Sequence, residues 1–208
     1  MRKIDIPQGS YEWHQYRWGN VTGTSLGRAL GTPKVQQTLM FEQIAQRMTM
    51  AQIDDLSTPS MDRGRELEPF ARTEVTQATG ITFIDTGLLM SDQFSHFSIS
   101  PDGIFEDEQG VITGGLELKC PASKTHVKYI IEDDIPREYL AQVMAPFIMS
   151  DDVRFWCFGS FDDRNHERPL FIKTVTRDDF PDIKAERLKL RRFLIKVAEH
   201  HSNLSIAF

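Results

Sequence analysis

Asp102, Glu117 and Lys119 are the residues whose types and spacing best suit chemistry on a phosphodiester. Asp102 lies in Ser100-Pro101-Asp102-Gly103, and Glu117 follows fifteen positions later in Gly115-Leu116-Glu117-Leu118-Lys119-Cys120-Pro121. Side chains alternate faces along a strand with period 2. Leu116 and Leu118 can therefore enter a core while Glu117 and Lys119 share the other face. Asp102, beside a glycine-containing turn, can fold back next to them. Two carboxylates suit Mg²⁺, a hard ion that takes oxygen ligands and commonly uses one or two carboxylates, water and substrate phosphate. The backbone carbonyl of Leu118 is placed to add a third oxygen. One or two ions per site fit this donor set, and Mn²⁺ should substitute. Lys119 would orient or deprotonate the attacking water, or stabilise the charged phosphorus centre. The competing reading is an exposed strand bearing a surface ion pair.

The elements that must position these groups follow from periodicity and punctuation. A strand is predicted over 116–119, ended by Pro121, because proline cannot donate to a ladder. Strands are also predicted over 81–90, 97–100, 153–161 and 170–176. Residues 106–110 read as an acidic hairpin tip, solvated rather than metal-binding. Helices are predicted over 10–18, from Gly23 onward, and over 35–53, with Val35, Leu39, Ile44, Met48 and Ala51 inward. A helix over 61–79, stopped by Gly80, should bury Leu67, Phe70, Ala71 and Val75. Residues 123–132 make a short helix whose Lys124, His126 and Lys128 face either DNA or solvent. Pro136 opens a helix to about 149 that Pro146 should kink or shorten. The last helix, 181–201, buries Ile183, Leu190, Phe193, Leu194 and Val197. Its Lys184, Arg187, Lys189, Arg191 and Lys196 face is either solvated or part of a subunit or DNA contact, the solvated reading being preferred.

The chain of 208 residues suits a single domain, 1–208. Its net charge of −6 argues against a protein that coats DNA nonspecifically. A nuclease of this charge needs a local electropositive patch on an acidic body. No apolar run approaches the roughly 18 residues of a membrane span. Met1-Arg2-Lys3-Ile4-Asp5-Ile6-Pro7 lacks the apolar region of a signal peptide, so a cytoplasmic setting is expected. Cys120 and Cys157 are then expected as free thiols. The histidines show no zinc spacing, and no Gly-x-x-x-x-Gly-Lys-Ser/Thr loop is present for ATP.

These motifs resemble the PD-(D/E)xK nuclease superfamily, and more narrowly the phage lambda exonuclease family of YqaJ-type viral recombinases. Arg63-Gly64-Arg65-Glu66-Leu67-Glu68-Pro69-Phe70-Ala71-Arg72 is similar to the family's upstream helix, whose active-site acid would be Glu68. Tyr139-Leu140-Ala141-Gln142 is similar to a later helix whose glutamine, here Gln142, reaches the site. Arg17 with Thr22, Thr24 and Ser25 resembles the segment that holds the 5′-phosphate of a DNA end. Met61 sits near the family's strand-separating wedge, and Asp92 takes the place of a supporting acid. The ordered matches span about residues 13 to 142. The resemblance implies an α/β fold with a central mixed β-sheet flanked by helices. It implies processive 5′→3′ digestion of duplex DNA, a homotrimeric ring around double-stranded DNA ends, and a single-strand annealing partner. It also implies a bacterial or phage-encoded protein. Two rivals are an endonuclease of restriction or repair type and a non-catalytic DNA-end-binding protein.

Overall fold

A computed structural model describes residues 1–51 and 59–206. Two sheets carry the architecture. The larger has the order β4(Gly103–Glu106), β5(Ile112–Lys119), β6(Phe155–Phe161), β7(Leu170–Thr176). It is mixed: β5 and β6 run parallel, and the outer pairs are antiparallel. The smaller sheet pairs β1(Arg2–Ile4), β2(Leu88–Met90) and β3(Ser98–Ile99), all antiparallel.

The apolar alternation of β5 acts as predicted. Leu116 and Leu118 pack with Ala71 and Val75 of α4(Pro59–Thr79). The opposite face is covered by α5(Ser123–Glu132) and α6(Arg137–Met149), which lie within the parallel crossover, residues 120–154, between β5 and β6. A parallel central pair covered on both faces is buried throughout, and so is nearly all of β5. α2(Gly23–Ala29) lies on α6; α3(Pro33–Thr49) and α7(Ile183–Ile206) pack outside them. α1(Tyr11–Arg17) begins at Ser10, whose hydroxyl accepts the Trp13 N–H at 3.2 Å.

Several expectations change. The strand predicted over 81–90 is only β2, because the chain switches sheets within that stretch. Ile84 bridges Ile104 at the edge of the large sheet, whereas Leu88 already pairs with Ile4 in the small one. Phe70 is 65% exposed. Leu67, Ala71 and Val75 recur every four residues and form the inward stripe, and Phe70 lies about 100° around the helix from Ala71. In α3 the buried residues are Leu39, Met40, Gln43 and Ile44, while Val35 and Met48 are exposed. His126 faces neither DNA nor solvent: it is fully buried between the Ser160 hydroxyl, 2.7 Å away, and the Arg168 carbonyl, 2.9 Å away.

α6 continues three residues beyond Pro146. Its last carbonyls are met by Arg187, which donates to Phe147 and Ile148, and by Arg177. Arg187 is thus an anchor rather than part of a solvated face, and Arg191 lies over the Phe94 ring. Neither cysteine is in a disulfide. Among the described residues no helix is long and apolar enough to cross a membrane.

Candidate active site

The active-site candidates from β5 and its neighbours meet at one place. Asp102 immediately precedes β4 and pairs in antiparallel fashion with β5, its N–H donating to the Leu116 carbonyl at 3.0 Å. β4 therefore delivers the Asp102 carboxylate to β5, where Oδ2 accepts the Leu118 N–H at 2.5 Å. The N–H and C=O of one strand residue leave on the same side. The Leu118 carbonyl consequently faces the edge where Asp102 sits. On the α6 face of β5, Glu117 is 4% exposed. Its Oε1 accepts from Lys119 Nζ and from Gln142 Nε2, the latter at 2.5 Å. Lys119 also lies 5.1 Å from the Tyr139 ring, which stacks on Phe158. One turn of α6 thereby supports Lys119 through Tyr139 and Glu117 through Gln142.

That turn comes close because of small residues. A Cβ at Gly23 would lie 3.3 Å from Gln142 Cγ, and one at Gly27 3.2 Å from the Ala141 Cβ. Glycines four apart on α2 let the start of that helix sit against Gln142.

Charge in the cluster is expensive. Burial, then the neighbouring Glu117, raises the Asp102 carboxyl to about 7. Burial also raises Glu117, against the lowering pull of Lys119. Glu68 is raised by burial and then by Asp102, and its partner Arg72, 2.8 Å away, opposes this. Glu68 is thus in electrostatic reach of the cluster, though it opens onto a neighbouring cleft with Gln8, Arg65 and Asp85. Burial works against the Lys119 ammonium, but Glu117 and Asp102 outweigh it and the net shift is upward. Lys119 is therefore a fixed positive charge here and a poor proton acceptor.

Two carboxylates whose ionised forms are disfavoured, beside a backbone carbonyl, are a hard-oxygen donor set that a divalent cation would relieve. Among the described residues no three His, Cys, Asp or Glu side chains converge to hold an ion. Any Mg²⁺ here would rest on Asp102, Glu117 and the Leu118 carbonyl, with water completing its shell. These residues fit Mg²⁺ and not a zinc cage.

The predicted phosphate-binding residues lie along two adjoining clefts. The first, about 130 Å³, is lined by Gln8, Trp13, Arg17, Thr24, Glu117 and Gln142 among others. The second, about 360 Å³, shares Trp13, Arg17 and Thr24 and extends to α3. Arg17 donates to the Ser100 hydroxyl at 2.9 Å and stacks on Trp13, whose indole N–H also reaches Ser100 at 3.0 Å. Ser100 is two residues from Asp102, so the arginine is tied to the loop that carries the acid. The Ser25 hydroxyl accepts the Thr22 N–H at 2.8 Å as part of the helix cap. Thr24 points outward, 3.0 Å from the Thr22 hydroxyl. Thr24 is thus the freer hydroxyl of the three, while Ser25 is committed to capping.

One candidate is not brought to the cluster. Asp92 is exposed and pairs with the Met1 amino group at 2.8 Å, which holds its carboxyl below the usual range. Met61 falls in the first turn of α4, and its side chain lies outside the described residues. Sequence reasoning missed Gln43, which lines the larger cleft and whose buried amide has no hydrogen-bonding partner among the described residues. A glutamine in the apolar 39–40–43–44 stripe of α3 was the available signal.

The model of the YqaJ-like viral recombinase domain matches residues 12–152. The crystal structure of the alkaline exonuclease LHK-Exo from Laribacter hongkongensis is similar over 95% of this chain and 97% of its own, with a TM-score of 0.84 and 29% identity. LHK-Exo in complex with dAMP is similar over the same shares, with a TM-score of 0.82 and 30% identity. A phage-related exonuclease from Haemophilus somnus 129PT matches 87% of this chain and 96% of its own, with a TM-score of 0.59. At 10% identity, that likeness concerns the fold alone. No curated protein matches the chain. The mixed sheet flanked by helices is the PD-(D/E)xK arrangement of these alkaline exonucleases.

Proposed function

The chain belongs to the YqaJ-like viral recombinase family, and from that premise we propose that it is a Mg²⁺-dependent exonuclease that digests duplex DNA from 5′ ends and leaves a 3′ single strand. One observation carries the polarity: the Arg17–Thr24 pocket opens into the cleft of Glu117 and Gln142, and Arg17 is bonded to Ser100 beside Asp102. A terminal phosphate held by Arg17 and Thr24 lies at a fixed separation from the carboxylates, and the scissile phosphate would be the next one along the strand.

Water adds to that phosphorus and the P–O3′ bond breaks. The released nucleotide leaves with a 3′-hydroxyl, and the shortened strand begins with a new 5′-phosphate. Each turnover thus regenerates the group the pocket binds, which favours processive digestion without ATP. Bound Mg²⁺ would acidify water and neutralise charge at the reacting phosphate. Asp102, Glu117 and the Leu118 carbonyl hold it, Gln142 orients Glu117, and Lys119 presents positive charge to the phosphate or its attacking water. Glu68 adjusts the charge on Asp102.

Digestion of a 5′-phosphorylated duplex labelled separately at each end tests this reading. Label should leave the 5′ ends first, with Mg²⁺ and not with chelator, and covalently closed circles should survive. Release from 3′ ends, or cutting of circles, refutes the polarity. In the same assay Arg17→Ala should reduce the preference for 5′-phosphate over 5′-hydroxyl ends by roughly tenfold, the scale of one charged hydrogen bond. An unchanged ratio removes Arg17 from the pocket.

Processivity is further aided by a homotrimeric ring that encloses DNA and hands the 3′ strand to a single-strand annealing protein. Light scattering of the native protein should give three times the 23.9 kDa of one chain. A monomer at micromolar concentration contradicts the ring.

A further inference from the structure

Asp162 is a buried acid that the proposed reaction does not use. It follows β6 directly, at the end where β5 and β6 run side by side and Lys119 pairs in register with Ser160. A buried carboxylate is unfavourable unless charged donors meet it. Arg164 Nε donates to Asp162 Oδ1 at 2.7 Å, and Arg63 Nη2 of α4 reaches the same oxygen at 3.3 Å. Burial raises the Asp162 carboxyl, but hydrogen bonds from Ser123 and Arg164 outweigh it and hold the group below its usual range. Both arginines have a second task. Arg63 Nη1 donates to the Cys120 carbonyl and Arg164 Nη2 to the Pro121 carbonyl, each at 3.3 Å. These are the two carbonyls that follow Lys119. β5 stops at Lys119, and Pro121 cannot donate to a ladder. The strand therefore leaves its sheet just after the residue whose ammonium the reaction needs, and two arginines that share one buried acid hold the exit.

We propose that Asp162 is a positioning residue for Lys119: through Arg63 and Arg164 it fixes the exit of β5 and so aims the ammonium at the reacting phosphate. The inference rests on the exonuclease reading above, in which Lys119 supplies that charge. The tip of Lys119 is held by Glu117 and lies near the Tyr139 ring, and its backbone is held by the ladder to β6. The clamp on Cys120 and Pro121 fixes the chain on the other side of the same residue. Arg63 also ties this point to α4, the helix that carries Glu68. Asp162 has no exposed surface, and Arg63 is 28% exposed and paired with Asp163 as well. Substrate therefore does not touch the acid, and its influence on rate must pass through β5. Small displacements suffice for such an influence, because a misplacement of about 1 Å at a reacting group can slow catalysis by roughly 10²-fold.

The test is single-turnover digestion of a 5′-phosphorylated duplex by the full-length protein with Mg²⁺, read as a maximal rate and a half-saturating concentration. Asp162→Ala should lower the maximal rate by roughly 10- to 100-fold and leave the half-saturating concentration unchanged. Asp162→Asn keeps an acceptor for Arg164 and should recover part of the loss. In a Lys119→Ala background, adding Asp162→Ala should slow the reaction no further, because the group it aims is gone. If Asp162→Ala does not fold, Arg164→Ala, at a half-exposed position, removes the hold on Pro121 and should show the same pattern at smaller amplitude. A parental rate in the folded variant overturns the proposal. So does a loss confined to the half-saturating concentration, which would make the cluster a DNA contact. A loss that multiplies with that of Lys119→Ala overturns it too, because the acid would then act on the fold at large. If Lys119→Ala turns over like the parent, or the parent digests no duplex, the exonuclease mechanism fails and the clamp with it. If Lys119→Ala is slow and Asp162→Ala is not, only the clamp falls.

Discussion

Lys119→Ala is expected to slow phosphodiester hydrolysis by roughly 10³-fold, the scale for removing one preorganised charge from a reaction centre, while binding to duplex ends persists. The ammonium cannot be replaced by its neighbours. Gln142, the other donor to Glu117, is neutral, and Arg72 is shared by Glu68 and Asp85. The variant has a second consequence, because Lys119 also offsets the burial of Glu117. Without it the Glu117 carboxyl rises further, and fewer molecules carry both acids ionised at neutral pH. The two effects separate by pH. If Lys119 served only to keep Glu117 ionised, the variant would recover as pH is raised from 7 to 9. A loss that persists across that range assigns the charge to the reacting phosphate or its water. Turnover within a few-fold of the parent would remove Lys119 from the mechanism altogether. The pH series also bears on proton transfer: Glu117 and Asp102 favour the charged form of Lys119 in the metal-free protein, so a proton-accepting role predicts activity that rises with pH in the parent.

The core motif was legible in the sequence because it is local. Alternation placed Leu116 and Leu118 against α4 and sent Glu117 and Lys119 to the other side, and Pro121 marked the strand's end. Gly80, with φ of +70°, likewise stops α4 where predicted. What periodicity could not show was which elements cover the second face of β5. Glu117 and Lys119 would look solvent-facing on an isolated strand, and only the docking of α6 makes that face interior. The same gap explains His126 and Arg187, whose charged or polar surroundings in sequence suggest exposure, although their partners include backbone carbonyls 42 and about 40 residues away. The 81–90 stretch failed for a related reason: strand propensity carries no information about a chain that serves two sheets in turn. Ser25 and Thr24 show the limit at the scale of a single turn. Hydroxyl chemistry named both, and the cap geometry separates them.

Asp102→Asn should abolish activity and yet make the metal-free protein more stable above neutral pH. The argument is one of linkage. The Asp102 carboxyl lies near 3.8 in an unfolded chain and at about 7 in the fold, raised by burial and by Glu117. Between those values the folded state holds a proton the unfolded state lacks. Its contribution to stability is therefore full below pH 4, declines as pH rises, and is gone above pH 7. By pH 8 the folded protein carries a carboxylate in a place that disfavours it, facing Glu117 and Lys119 of β5 and Arg72 of α4. At about 1.4 kcal/mol per pKa unit, the ionised group costs roughly 2–4 kcal/mol. Asparagine is neutral at every pH and can still accept the Leu118 N–H. The variant should melt roughly 5–10 °C above the parent at pH 8 in chelator, and the gap should close as pH falls to 5. Mg²⁺ reverses the ranking, because a cation that binds only the ionised pair stabilises the parent in proportion to its occupancy and has lost a ligand in the variant. Thermal scans at pH 5, 6.5 and 8, with and without Mg²⁺, decide the matter. Equal melting temperatures for parent and variant at pH 8 in chelator would show that Asp102 bears no such cost. Equal stabilisation of both by Mg²⁺ would place the ion elsewhere.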